Sequence, residues 1–318
     1  MGRTGSALVD VHVHLYPDEA AGREAKEGYE IWEYGDYPHV EFDTTAGLIS
    51  DVGDRYDTAG FDHAVVLQLF DVGRERTRLL SQLRGADPAA KRRECEATLE
   101  EALASGLMDA NRWVLSQVTT HPGLSAYVCI DPVLLTPALI EGHLREMATL
   151  GARGVKLHPV SQGYRPDDPR LDVLYRMCTE LGLVVLSHSG QGHHGGATAR
   201  PSEFGAVMER HPELRLVLAH LGGAAWDEAA DLAASFPQVL FDLSEIVEWT
   251  GAPHAPSRQQ LAQVILDIGV DRVMLGSDFP WYGPASTADK VETLPGLGAA
   301  ARAALLGDTA VARLGLDV

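Results

Sequence analysis

The sequence predicts an α/β protein folded as a (β/α)8 TIM barrel, and three observations lead to this prediction. Eight short, apolar, β-branched runs recur along the chain, and helix-like segments separate most of them. Most runs are almost continuously apolar, as expected of parallel strands buried on both faces. The chain has 318 residues, more than the roughly 250 of a typical barrel, which leaves room for insertions. This alternation favours a closed barrel over an open sheet.

The predicted elements follow one another in a regular order. The eight strand-like runs are Val9–Leu15, Phe61–Phe70, Leu124–Pro132, Ala152–Pro159, Leu183–Gly190, Leu214–Gly223, Val239–Ile246 and Asp271–Pro280. Helical patterns occupy Thr136–Leu150, Arg170–Leu181, Pro201–Arg210 and Ala224–Ser235, and an amphipathic helix at Ala299–Leu316 closes the barrel. No linker or low-complexity segment divides the chain, so we expect residues 1–318 to form a single domain.

An insertion follows strand 1, at Pro17–Gly60. It is acidic and aromatic, with Tyr29, Trp32, Tyr34 and Tyr37 close together. Because barrel active sites lie at the C-terminal ends of the strands, the insertion is predicted either to wall the pocket or to form a subunit contact.

A second, helical insertion follows strand 2, at Asp71–Thr120. It is rich in Arg and Glu and predicts one or two long helices, Glu75–Leu83 and Pro88–Ala104. We interpret it as a solvated helical excursion.

Composition and charge exclude several classes of protein. Apolar residues make up 45% and charged residues 22%, as in ordinary globular proteins. The net charge of −19 argues against binding to nucleic acid or an anionic membrane, both of which need a basic face. The first residues lack an apolar signal region, and no apolar run approaches the length of a membrane span. We therefore expect a cytoplasmic protein that acts on a small molecule.

Strand 1 carries two histidines, His12 and His14. Side chains of a strand alternate between its faces, so both imidazoles are predicted on one face and Val11, Val13 and Leu15 on the other. Two neighbouring imidazoles suit zinc, iron or manganese. The strand therefore predicts one side of a metal site.

Further polar residues lie at the C-terminal ends of later strands. They are Lys156 and His158 on the fourth, His188 on the fifth, His220 on the sixth and Asp278 on the eighth. Barrel enzymes bring groups from these ends together on one axis. A single histidine at such an end is more often a hydrogen-bonded core residue. The whole set is harder to explain by packing, because each buried polar group needs a partner and a shared metal supplies one.

In this order the residues resemble the amidohydrolase superfamily of metal-dependent barrel enzymes. The chain is more similar to its second amidohydrolase-type family (amidohydrolase-2), which includes aminocarboxymuconate-semialdehyde decarboxylase and resorcylate decarboxylases. The flanking motifs, within residues 8 to 316, also resemble that family: Gly154–Pro159 (GVKLHP), Tyr164–Leu171 (YRPDDPRL), Leu218–Gly223 (LAHLGG) and Gly276–Pro280 (GSDFP). The set is specific for the superfamily and not for one reaction.

The resemblance implies four metal ligands: His12, His14, His188 and Asp278. Three imidazoles and a carboxylate leave a position for water. Zn²⁺ is the first expectation, with Mn²⁺, Fe²⁺ or Co²⁺ as alternatives. Asp278 would also take the proton of that water, and His220 would be a catalytic acid/base or would polarise the substrate.

Three roles are open for Lys156. The resemblance suggests that a carboxylated lysine on strand 4 bridges two metals, with His220 on the second. Lys156 also suits a substrate carboxylate or a salt bridge at the barrel rim. His158 shares its strand face and Trp281 follows strand 8, so both are candidates for substrate binding. His193 and His194 are expected to be solvated loop residues.

The first functional hypothesis is a divalent-metal hydrolase of an amide, lactone or ester bond in a small carboxylated substrate. The alternative is a metal-dependent decarboxylase, a lyase, acting on an aromatic or unsaturated acid. In some decarboxylases of the family a glutamate replaces the first histidine, and retention of His12 favours hydrolysis. A third hypothesis is a metal-bound barrel that only binds ligands. The resemblance also implies a homodimer.

Overall fold

A computed structural model describes residues 6–27, 33–82, 90–192 and 197–318, with the backbone alone for residues 82 and 90–97. Tyr29, Trp32, His193 and His194 lie outside the described residues. The predicted barrel is confirmed, since eight parallel strands pair in chain order from first to last. The strands are β1 Val9–Val13, β2 His63–Leu67, β3 Leu124–Cys129, β4 Gly154–Leu157, β5 Val184–Ser187, β6 Leu216–Leu218, β7 Leu240–Asp242 and β8 Val273–Met274.

Helices surround the strands. They are α1 Glu19–Glu27, α2 Ile49–Ala59, α3 Val72–Gln82, α4 Ala90–Val118, α5 Pro137–Thr149, α6 Pro159–Gln162, α7 Asp172–Leu181, α8 Gly205–Arg210, α9 Ala229–Ser235, α10 Arg258–Ile268, α11 Pro284–Glu292, α12 Ala299–Ala303 and α13 Thr309–Leu314. Helix α4 begins close to the predicted start and runs well past the predicted end at Ala104. Its Leu107, Val114 and Leu115 are buried in the core, so the interpretation of this segment as a solvated excursion was wrong. Among the described residues, no helix combines the length and the apolar character needed to span a membrane.

The strands are shorter than the apolar runs that predicted them, and β8 shows this most clearly. It has only two residues, and the chain beyond it follows β1 without regular pairing. The N–H of Val11 donates to Leu275 O at 3.0 Å, and that of Asp278 donates to His12 O at 2.9 Å. These bonds close the barrel and place Asp278 beside the histidines of β1.

Strand β1 differs from the prediction in the direction of one side chain. Its pairing with β2 shifts register between Asp10 and Val13. Val11 therefore packs in the interior apolar cluster together with Val9, whereas Val13 packs in the outer cluster beneath the helices. The prediction that Val11 and Val13 share a face was wrong, because strict alternation fails across the irregularity.

The chain's tail is not the single helix predicted for Ala299–Leu316. A π-helical turn at Ala304–Asp308 separates α12 from α13. Within it the carbonyl of Leu305 accepts a hydrogen bond of 2.8 Å from Leu275 N, so the irregular turn anchors the segment that follows β8. Helix α13 then packs Ala310 against the interior cluster and closes the N-terminal end of the barrel.

Candidate metal centre

Four buried polar side chains meet at the C-terminal end of the barrel: His12, His14, His220 and Asp278. The Oδ1 atom of Asp278 lies 3.1 Å from His14 Nε2 and 3.4 Å from His12 Nε2. One ligand atom from each of His12, His220 and Asp278 lies within 4.8 Å of the others. The structure thus brings together residues that are far apart in sequence.

The backbone bends sharply where two of these residues leave their strands. His220 has a φ of 60° and Asp278 a φ of 61°, values in the left-handed region that side chains other than glycine seldom adopt. Leu221 and Glu245, which follow β6 and β7, share this conformation. Such strain is concentrated at functional sites because the surroundings must hold it in place.

The hydrogen bonds of His14 show that a cation fits this cluster. Its Nδ1 lies 2.7 Å from the carbonyl oxygen of Leu67, which can only accept, so Nδ1 carries the hydrogen. In the neutral ring, Nε2 then turns a lone pair toward the carboxylate of Asp278, which is also an acceptor. Ligands on one tetrahedral Zn²⁺ lie about 3.4 Å apart. The distances of 3.1 and 3.4 Å from Asp278 Oδ1 to the two imidazole nitrogens match this ligand-to-ligand distance. A metal ion between the two acceptors would bind the lone pairs of both.

Electrostatics favour the ligand forms of these groups. Burial lowers the pKa of His12 and of His220, which favours the neutral form of both imidazoles. Burial alone would raise the pKa of Asp278, but positive charge carried by the surrounding histidines, together with the hydrogen bond to His14, outweighs burial and holds that pKa well below its ordinary range. Neutral imidazole and ionised carboxylate are the forms that bind metal.

Lys156 lies inside the site. Its side chain is buried, and Nζ lies 3.0 Å from His12 Nε2. Burial lowers the pKa of Lys156 to about 8, although Asp278 and Asp242 act in the opposite direction. This position suits the metal-bridging and substrate-binding roles better than a salt bridge at the rim.

The remaining predicted residues form a second row. The ring of His188 stacks on His158, with centroids 4.0 Å apart, and meets the edge of His220 at 4.8 Å. Trp281 is buried and packs edge-on against His14 at 5.4 Å. His188 is thus close to the cluster, and its role as a metal ligand stays a prediction, as do the substrate-binding roles of His158 and Trp281.

Sequence reasoning missed Asp242 and Ser244 at the end of β7. Asp242 Oδ2 lies 2.9 Å from His12 Nδ1, and Ser244 Oγ lies 2.9 Å from the same nitrogen. Both belong to the predicted run Val239–Ile246, so the strand-end argument used for the histidines would have found them. Asp10 accepts the backbone N–H groups of His12 and Ser277 and the hydroxyl hydrogen of Tyr56.

The first insertion is hydrogen-bonded to loops at the C-terminal end of the barrel, and its role as a pocket wall stays a prediction. Lys26 Nζ donates to the carbonyls of Thr45, at 3.0 Å, and Pro280, at 2.8 Å. The Glu33 carboxylate accepts the N–H groups of Gln191, at 3.0 Å, and Ala224. The insertion is therefore tied to the loops that follow strands β5, β6 and β8.

The approach of Glu33 explains two glycines. A Cβ atom on Gly190 or Gly223 would lie 2.4 or 2.1 Å from its Oε1, so a larger residue at either position would displace the Glu33 carboxylate. Burial raises the pKa of Glu33 to about 7. This carboxylate therefore titrates near neutral pH.

Comparison with known proteins gives a consistent result. The profile of a family described as Amidohydrolase matches residues 9–316. A 2-amino-3-carboxymuconate-6-semialdehyde decarboxylase from Dictyostelium discoideum is 25% identical over 215 residues. That match covers 58% of this chain and 60% of the relative, which is less than two thirds of the relative's length.

Solved structures confirm the fold. A dihydroxybenzoic acid decarboxylase from Polaromonas, with bound manganese and the inhibitor 2-nitroresorcinol, superimposes with a TM-score of 0.64 at 13% identity, covering 98% of both chains. A probable 2-pyrone-4,6-dicarboxylic acid hydrolase from Acinetobacter baumannii has a TM-score of 0.60 at 13% identity, with 97% of this chain and 99% of that chain covered. At these identities the similarity concerns the fold alone.

Proposed function

We propose that this chain, which belongs to the amidohydrolase family, is a metal-dependent carboxy-lyase. Its substrate would be a small aromatic or unsaturated carboxylic acid. The observation that carries the proposal is the buried ammonium of Lys156 beside the buried His/His/Asp cluster. The decarboxylases among the similar proteins support a lyase, although the sequence alone favoured hydrolysis.

The residues that would hold the metal are His12, His14 and Asp278, with His188 or His220 completing the set. Bound there, a divalent ion would supply positive charge for the substrate's oxygen atoms. Zn²⁺ and Mn²⁺ both suit imidazole and carboxylate ligands, and Fe²⁺ or Co²⁺ would also fit. Neutral imidazoles leave the carboxylate of Asp278 as the anion that balances the ion's charge.

Lys156 would bind the substrate carboxylate. Its burial weakens competition from water, so the attraction between the two charges is stronger than at the surface. A bound anion would also raise the pKa of Lys156 from about 8 and keep the amine protonated. Trp281, which is buried against His14, would form one side wall of the substrate pocket.

His220 would deliver the proton. In the reaction the bond between the ring or alkene carbon and the carboxylate breaks, its electron pair stays on that carbon, and CO₂ leaves. A proton then bonds to the same carbon. His220 lies in the cluster with a pKa lowered by burial, so it rests as the neutral imidazole. A proton taken up from solvent at Nε2 would make it an imidazolium, a strong acid that passes this proton to the carbon and returns to the neutral form.

The test is turnover of hydroxybenzoic and carboxymuconate-type acids in D₂O by protein loaded with Zn²⁺ or Mn²⁺. We expect CO₂ release together with one deuterium at the vacated carbon, and loss of both when a chelator removes the metal. Hydrolysis of a lactone or amide panel, with no CO₂ from any acid, would contradict the proposal.

Hydrolysis is the second candidate, and the similarity to a probable 2-pyrone-4,6-dicarboxylic acid hydrolase favours it. Retention of His12 points the same way. In H₂¹⁸O a hydrolase would place ¹⁸O in its organic product, whereas a decarboxylase would leave its organic product unlabelled. The expected homodimer, also a proposal, can be checked by light scattering.

A further inference from the structure

We propose that Asp242 and Ser244 are positioning residues that hold His12 and His220 in one tautomer, with hydrogen on Nδ1. The inference deepens the proposed function and rests on it only for the roles of the two rings. The tautomers themselves exist in the metal-free protein and can be measured there.

A buried hydroxyl joins the two rings. Ser244 Oγ lies 2.9 Å from His12 Nδ1 and 2.9 Å from His220 Nδ1, and it donates to Asp242 Oδ1. Asp242 and Ser244 are both fully buried. Water therefore does not replace these partners, and each hydrogen must be placed within the network.

The placement follows from counting donors and acceptors. Asp242 Oδ1 accepts the backbone N–H groups of His220 and Ser244, both at 3.0 Å, as well as the hydroxyl hydrogen. Oδ2 faces His12 Nδ1 at 2.9 Å. The Ser244 hydroxyl, having given its hydrogen to Asp242, can only accept from the two rings. His12 Nδ1 must therefore carry a hydrogen.

A separate contact fixes the tautomer of His220. Its Nδ1 also lies 3.1 Å from the backbone carbonyl oxygen of Ser244, which can only accept. Both rings consequently turn Nε2, without hydrogen, away from β7. This is the nitrogen that binds a metal or receives a proton in the site.

Asp242 acts on the backbone as well as on the rings. By accepting the N–H of His220, it holds the residue whose φ is 60°. One carboxylate thus orients the imidazole of β1 and the turn after β6. Mutation of a residue that hydrogen-bonds to a metal-ligating histidine typically weakens metal binding about 10–100-fold.

The decisive variant is Asp242→Asn. The amide oxygen would take the place of Oδ1, where three donors converge, and the NH₂ group would face His12 Nδ1. His12 would then have to accept at Nδ1 and carry its hydrogen on Nε2, the tautomer that cannot bind metal. We expect ¹⁵N imidazole spectra of the metal-free protein, assigned with His12→Gln and His220→Gln, to show this exchange of roles.

Zn²⁺ affinity, measured by chelator competition, gives a second readout. We expect about 100-fold weaker binding in Asp242→Asn and about 10-fold weaker binding in Ser244→Ala. The matched control is Ser125→Ala, a buried serine whose Oγ lies 3.0 Å from Nε2 of His63, a histidine outside the site. Its affinity should stay within about twofold of wild type.

Hydrogen on Nε2 of either ring in the wild-type protein would overturn the inference. Unchanged spectra and affinity in both Asp242→Asn and Ser244→Ala would overturn it as well. If Asp242→Asn does not fold, Ser244→Ala and the wild-type spectra decide. The predicted spectra with no decarboxylation of any acid would instead refute the proposed function alone.

Discussion

The two ends of the barrel are built from the same strands and have opposite characters. At the N-terminal end, Val9, Tyr127 and Val184 pack with Ala310 of α13 in a wholly apolar interior cluster. At the C-terminal end, the buried side chains include His12 of β1, Lys156 of β4 and other polar groups. Along β1 the change occurs between Val11, in the interior cluster, and His12.

This difference assigns folding stability mainly to the N-terminal end of the barrel and the reaction to the C-terminal end. Apolar side chains at the lower end stabilise the fold by burial and need no specific partner. Each polar group at the upper end must be paired, and the left-handed backbone at His220 and Asp278 adds strain. Substitutions at the lower end should therefore cost folding free energy, and those at the upper end should cost activity.

The largest effect is expected for Asp278→Asn. Asparagine tolerates the left-handed backbone, so the fold should persist, but a neutral amide cannot balance a divalent ion. We expect metal content to fall below detection and turnover to fall about 1000-fold or more, equivalent to about 4 kcal/mol. Elemental analysis and CO₂ release measure both. Exposed Asp36→Asn is the control, and a variant that kept full metal content would erase the contrast between the two ends.

Tyr127→Ala tests the lower end. It removes a fully buried ring from the interior cluster and should lower the free energy of unfolding by about 3–5 kcal/mol. Activity per folded molecule should remain within about twofold of wild type. Urea unfolding gives the first value and turnover at low temperature the second. Leu139→Ala, at a side chain that is 43% exposed, should leave both unchanged. Lost turnover with unchanged stability would contradict the division.

Glu33→Gln sharpens the comparison in the first insertion. Since burial raises its pKa from 4.5 to about 7, the folded state holds this proton more tightly than the unfolded chain. Stability from this group is thus greatest below about pH 4.5 and is lost as pH rises to 7. Above pH 7 the glutamine variant should be more stable by at most about 3 kcal/mol.

Urea unfolding from pH 4.5 to 8 measures this effect. The two stability curves should meet at the acid end and separate as pH rises. Glu41→Gln, an exposed residue of the same insertion, is the control and should run parallel to wild type. Parallel curves for Glu33→Gln as well would show that the carboxylate is not buried.

The smallest effect is expected for Lys26→Met. It removes the hydrogen bonds to Thr45 O and Pro280 O and should cost about 1–2 kcal/mol. Proteolysis within the first insertion should become faster, while metal content stays at the wild-type level. Arg23→Met, exposed on the same helix, should leave the proteolysis rate unchanged. A fall in metal content would mean that the insertion supports the metal-binding cluster itself.

The sequence predicted the barrel because continuous apolar runs and strand-end histidines depend on local pattern alone. It did not predict the direction of Val11, since a register shift in β1 leaves no mark on apolar composition. The role of Glu33 was equally hidden, because it depends on a close approach to Gly190 and Gly223. Asp242 and Ser244 could have been found from their position in the predicted run Val239–Ile246. Aspartate and serine, however, are less specific indicators of a metal site than histidine.

The left-handed backbone after strands β6 and β8 also limits how this protein can be evolved in the laboratory. At His220, Leu221 and Asp278 a random codon library would consist mostly of residues that the backbone rejects before chemistry is tested. A library at these positions should be restricted to asparagine, aspartate, histidine and glycine, which adopt the left-handed conformation more readily. New substrate preferences are better sought at Trp281 and His158, neither of which has a positive φ.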